Sequence, residues 1–147
     1  MSPFEVLRQD HTAIRSVLEK LRILPEDERA LRMDTFHQLE THLELHFDLK
    51  RNFFYPELRA DNETSSLVKE LQDDGNAITQ LVAQMAAASS PRFFDSLLRS
   101  VRERFDHIVK QEEEVLFVKA RRILDSDEWD RIGDEMDIEK SRLMANK

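Results

Sequence analysis

The segment HFDLKRNFFYP, His46 to Pro56, puts a lysine where an apolar helical stripe should continue. At about 100° per residue, Lys50 falls on the helical wheel between Leu43, Phe47 and Phe54. A second segment, IVKQEEEVLF from Ile108 to Phe117, aligns with the first position by position. In that register His46 matches Ile108, Lys50 matches Glu112, and Phe53-Phe54-Tyr55 matches Val115-Leu116-Phe117. Glu112 lies between Val101, Ile108 and Leu116 in the same way. Charged side chains are seldom fully buried unless paired or bound to metal. Two stripe charges of opposite sign at equivalent places predict a direct Lys50–Glu112 pair inside the fold.

The correspondence extends to the preceding helices. Leu7, His11, Ile14, Leu18 and Leu21 recur at the same offsets as Leu71, Gly75, Ile78, Val82 and Met85, so His11 and Gly75 are equivalent. The chain reads as two related helical hairpins. Ser2-Pro3 opens the first helix, with Glu5 placed as in a capping box, and Leu24-Pro25 ends it. The second begins near Glu26 to Arg29, carries Phe36, Leu39, Leu43, Phe47 and Phe54, and breaks or kinks at Pro56. A polar link from Arg59 to Thr64 leads to a third helix starting near Ser65 or Ser66. Ser90-Pro91 opens a long fourth helix with Phe94, Leu98, Val101, Phe105, Ile108, Leu116 and Ile123 on one stripe. Asp125-Ser126-Asp127 interrupts it and caps a fifth, through about Met144, with Trp129, Ile132, Met136 and Leu143 on its apolar side. The expected fold is all-α: an up-down-up-down four-helix bundle over about residues 3–124, with a C-terminal fifth helix over about 126–145 packed outside it. One domain over residues 1–147 is expected.

Composition narrows the function classes. Apolar residues make up 40% and charged residues 35%, and 2 glycines and 4 prolines favour long helices over many turns. With 0 cysteines, disulfides, thiolate metal sites and cysteine nucleophiles are excluded. The chain starts without a basic, apolar leader and has no apolar run of membrane-crossing length, so a cytoplasmic protein is expected. A formal net charge of -8 without a basic block argues against nucleic acid as a direct partner. No Ser-His-Asp set points to a hydrolase, and two glycines cannot build a phosphate loop.

These residues resemble the hemerythrin-like (HHE cation-binding) domains. The likeness runs through Asp10-His11 with Ile14, the segment His46 to Pro56, Glu112-Glu113 with Val115-Leu116-Phe117, and the closing helix from Trp129 to Leu143. It implies a four-helix bundle holding two irons. The first helix would give a histidine, the second a histidine plus a carboxylate four later, and the third one or two histidines. The fourth would give a histidine plus a carboxylate four or five later, and the two carboxylates bridge the metals. Carried over, His11 and His46 fit the first two histidines and Glu112 fits one bridge. Lys50 stands at the other bridge, Gly75 at the third-helix histidine with Thr79 no substitute, and Ile108 at the fourth-helix histidine. His107 has the five-residue spacing to Glu112, but on a regular helix it lies about 140° away, so a π-bulge would be needed to turn both inward. Gln111 shares the His107 face and is a poor iron ligand.

An ammonium can occupy a cation's place, so Lys50 against Glu112 reads as a substitute for metal. The leading expectation is a non-enzymatic domain with a degenerate or lost di-iron centre, no cofactor, and a regulatory or interaction role. It would act through an unidentified protein partner, as a monomer or homodimer. The alternative is a metal-binding domain that senses or binds oxygen, nitric oxide or redox state. It would hold iron or another divalent ion with His11, His46, His107 and Glu112 as candidate ligands. An oxidoreductase or repair enzyme is a third reading. His42, one turn before His46, is expected half-exposed with it, or else part of a substitute metal site. His37 is expected to be solvated. Glu113 and Glu114 are taken as a solvated charge run, and Phe53 to Pro56 as core and helix end.

Overall fold

The structure is a computed structural model describing residues 1–145; residues 146 and 147, part of the expected domain, lie outside the described residues. It is all-helical among the described residues. Helix α1 spans Pro3–Ile23 and α2 spans Arg29–Leu49. A π-helical turn over Lys50–Phe54 joins α2 to α3, Tyr55–Arg59. Helix α4 covers Ser65–Ala86 and α5 covers Pro91–Gln111. A second π turn over Glu112–Leu116 leads into α6, Phe117–Ile123, and α7 spans Ser126–Ala145. The long bundle helices are thus α1, α2 running through α3, α4, and α5 running through α6, with α7 as the added fifth helix.

The ends follow local chemistry. Ser2 and Ser90 side chains accept from the Glu5 and Phe93 amides, each at 3.2 Å, and each cap is followed by proline. At α7, Asp125 accepts from the Glu128 amide at 2.9 Å while Glu128 accepts from the Asp125 amide at 3.2 Å, a reciprocal capping box. Thr64 does not cap α4; its hydroxyl donates instead to the Leu58 carbonyl at 2.6 Å and ties the link down.

Of the two outcomes expected at Pro56, a break or a kink, the structure shows no break. A proline in a regular helix clashes with the carbonyl four residues back, which here is Asn52. The π turn spans that carbonyl and widens the ring, so the helix continues to Arg59. The second π turn contains no proline, so proline is not its cause. Both turns open at the stripe charges. The Tyr55 amide donates to the Lys50 carbonyl, and the Phe117 amide to the Glu112 carbonyl.

One apolar core runs through the bundle, and α7 packs against α1, α2 and the first π turn. Ile132 and Met136 of α7 are buried, while Trp129 meets the Phe4 ring at 5.6 Å. Phe4 also contacts Phe117 at 5.2 Å and Phe54 at 6.1 Å, forming an aromatic layer beneath the charged centre. Each such ring contributes about 1.5–3 kcal/mol by burial. A Cβ at Gly133 would collide with the Met1 carbonyl, so glycine lets α7 lie directly on the start of the chain.

Candidate metal centre

His11, His46, Lys50 and Glu112 converge at the middle of the bundle and are 1%, 0%, 2% and 0% exposed. They come from α1, from α2, and from the two positions where the π turns begin. The Lys50 Nζ lies 3.1 Å from Glu112 Oε2, the pair expected from the stripes. The Tyr55 hydroxyl donates to the same oxygen at 2.6 Å. The ammonium also sits over the Phe47 and Tyr55 rings at 5.1 and 5.4 Å, which favours the cation where water is excluded.

The other carboxylate oxygen faces the histidines. His11 Nε2 is 3.0 Å from Glu112 Oε1, and its Nδ1 is 2.6 Å from Glu113 Oε2. His46 Nδ1 is 3.0 Å from Asp10 Oδ2, and the Asp10 Oδ1 accepts from Lys140 at 2.6 Å. The two rings meet edge to face at 5.1 Å. Each histidine therefore turns Nδ1 to a carboxylate and Nε2 to the centre. At His46 this is the arrangement that fixes the tautomer of a metal-ligating histidine, whereas the His11 Nε2 already meets Glu112. The His46 Nε2 is buried with no hydrogen-bond partner. Orphaned buried acceptors are rare and costly.

Electrostatics support the assignment. Burial, then the Lys50 charge, lowers the His46 imidazole to about 4 despite its bond to Asp10, so the ring is neutral at neutral pH. Burial works against the Glu112 carboxylate, yet Lys50 and His11 more than offset it and hold this group well below the usual range. Burial likewise raises Asp10, and His46 with Lys140 reverses that. Tyr55 is pushed upward by burial and by the Glu112 charge, so it remains a donor.

The sign of the His46 shift fixes how the ion-free protein responds to acid. The unfolded ring, near 6.5, takes up a proton that the folded ring refuses until about 4. Unfolding therefore becomes easier as pH falls through that window, by on the order of 3 kcal/mol. The depressed Asp10 and Glu112 carboxylates add further loss in stronger acid. Urea midpoints at pH 7, 5.5 and 4.5 check this, and a flat profile would contradict a neutral buried His46.

Three donors fit one ion. The ligand atoms of His11, His46 and Glu112 lie within 4.8 Å of one another. Two histidines and a carboxylate with open positions suit a divalent transition metal. Lys50 holds the remaining Glu112 oxygen, and Ile108 is buried hydrocarbon. Gly75 faces the Phe47 ring beside a cavity of about 160 Å³ that Lys50, Tyr55, Leu71 and Thr79 help to line. The Thr79 hydroxyl donates to the Gly75 carbonyl at 3.1 Å.

His107 is corrected as a candidate ligand. It is 53% exposed and lies 3.8 Å from Asp74. A π turn does form, but after Glu112 rather than before it, and so it leaves His107 outward. It turns the fifth residue onward instead, which brings Phe117 beside His11, and the matching turn brings Tyr55 to Glu112. Glu113 is a second correction, since it holds His11 rather than standing free in solvent. His46 is fully buried rather than sharing a half-exposed face with His42, which is itself half-buried. His37 is exposed and bonds Glu40 at 2.8 Å. Gln111 is half-buried and takes no place at the centre.

Among the described residues, no helix is long and apolar enough to cross a membrane. The comparisons agree with the geometry. The profile of the hemerythrin HHE cation binding domain matches residues 2–120. The crystal structure of a hemerythrin HHE cation binding domain-containing protein, the Rv2633c homolog from Mycobacterium kansasii, superposes with a TM-score of 0.85. It covers 99% of this chain and 89% of its own at 17% identity, which establishes a shared fold. A curated protein of Nostoc sp. (strain PCC 7120), described as a DNA nickase, is 26% identical over 144 residues, or 95% of this chain. The chain spans 39% of that relative's length. With the fold, the inward histidines and the profile match in agreement, this chain belongs to the hemerythrin HHE cation-binding domain family.

Proposed function

We propose that this chain is a single-ion hemerythrin-like domain, non-enzymatic in character, in which an internal lysine replaces the second metal. One divalent ion, iron or a chemical relative, would be held by His11, His46 and Glu112. The ion would supply a Lewis-acid and redox-active centre with open positions for a small neutral ligand. The observation that carries this reading is the buried, unpartnered Nε2 of a neutral His46, aimed at His11 and Glu112. Lys50 and Tyr55 are both committed to Glu112, so neither is free to shuttle protons for a reaction. A sensing or interaction role fits this better than turnover.

A metal-free regulatory module is the second reading. It is favoured by the charge balance that Lys50 gives Glu112 without any ion. Metal content per chain decides between the two. Protein from iron-supplied cells, and stripped protein titrated with Fe(II) or Zn(II), should hold one ion per chain. Binding of none supports the metal-free module, and two ions per chain would refute both. The nicking described for the Nostoc relative is not carried over, because a charge of -8 repels a phosphate backbone.

A further inference from the structure

We infer that Lys140 is a positioning residue for the candidate ion site, so that docking of α7 and ion binding support each other through Asp10. The inference rests on the single-ion reading above. Asp10 uses its two oxygens separately: Oδ1 accepts from Lys140 at 2.6 Å, and Oδ2 meets His46 Nδ1 at 3.0 Å. A neutral imidazole has one N–H to give. While Asp10 takes it, the Nε2 lone pair faces His11 and Glu112. Without Lys140 the Asp10 carboxylate is free to rotate about its side-chain bonds, and the ring loses the contact that selects its tautomer and orientation.

Both candidate histidines have this outer support, but its origin differs. Glu113, which holds His11, is backed by Arg8 of α1 at 3.8 Å. Asp10, which holds His46, is backed from α7, a helix outside the bundle. That helix is fixed by buried Ile132 and Met136 and by the Arg131–Glu57 pair at 3.0 Å. Any coupling between two binding events is reciprocal, so an ion that needs His46 in place also favours α7 in place.

The test uses Co(II) as the probe, read by its visible absorption and by chelator competition, on the full chain and its K140A, K140R and R142A variants. Loss of the partner that directly holds a ligand typically weakens metal binding by about 10–100-fold, and K140A, one contact further out, should fall at the lower end, about 10-fold. K140R keeps a cation on Asp10 and should stay within about threefold of the parent. R142A removes an α7 side chain paired with Glu139 and should change nothing. Long-range proton–nitrogen NMR of the stripped protein reads His46 without any metal. The Nδ1–H form should dominate in the parent, and the Nε2–H form should rise in K140A. A K140A protein with lower thermal stability but parental Co(II) affinity and parental His46 tautomer would overturn the inference. If the parent takes up no Co(II) while the tautomer still shifts, the single-ion reading fails and the positioning role stands.

Discussion

Lys50→Met should destabilise the ion-free domain by about 3 kcal/mol, the lower end of what breaking a buried ion pair costs. Glu112 would keep Tyr55 and His11 but lose the ammonium 3.1 Å from Oε2. For a chain of this length that corresponds to a melting temperature lower by about 6–12 °C. Much of the cost is the charge left behind, so K50M/E112Q should recover most of the loss. An ion at the three-donor site supplies positive charge of its own, and the gap between K50M and parent should narrow when Zn(II) is present. Differential scanning calorimetry of the parent, K50M and K50M/E112Q, with and without Zn(II), checks each of these. A K50M protein as stable as the parent would mean that the amine contributes nothing to the core.

His46→Ala is the corresponding test of the ion. It removes one of three donors and the only one with an unsatisfied ring nitrogen among the described residues. The remaining pair, His11 and Glu112, already bond to each other at 3.0 Å. Affinity should fall at least about 100-fold, beyond the loss that outer partners give. Stability should suffer less: the imidazole leaves a small cavity, while Asp10 keeps Lys140. Circular dichroism verifies the helices, and elemental analysis reads the metal. Unchanged occupancy would remove the three-residue site from consideration.

The two substitutions probe the two parts of one reading. Lys50 was legible in the sequence because a charge interrupted a stripe whose period was clear, and its mate interrupted the equivalent stripe. The five helices were legible for the same reason, since caps, the prolines at helix ends and apolar repeats agreed, Pro56 inside the second helix excepted. Much of what dresses the site was not. Asp10 and Glu113 each sit one residue off the stripe, where periodicity assigns them to solvent. Lys140 is 130 positions from the residue it holds, on a helix whose local pattern says nothing of α1. Tyr55 lies five residues past Lys50, about 140° round a regular helix. Only the widened turn brings its hydroxyl to Glu112, and a wheel drawn at constant pitch cannot show that. The same reasoning, applied to a bulge on the other side of Glu112, singles out His107, which the structure leaves exposed.

The contact of Gly133 with the Met1 carbonyl has a practical consequence. The Met1 backbone rests on α7 at Gly133 while its side chain stays exposed. A side chain at position 133 would press α7 off that backbone and shift the helix that carries Lys140. Variants of α7 made to test Lys140 should therefore leave Gly133 in place.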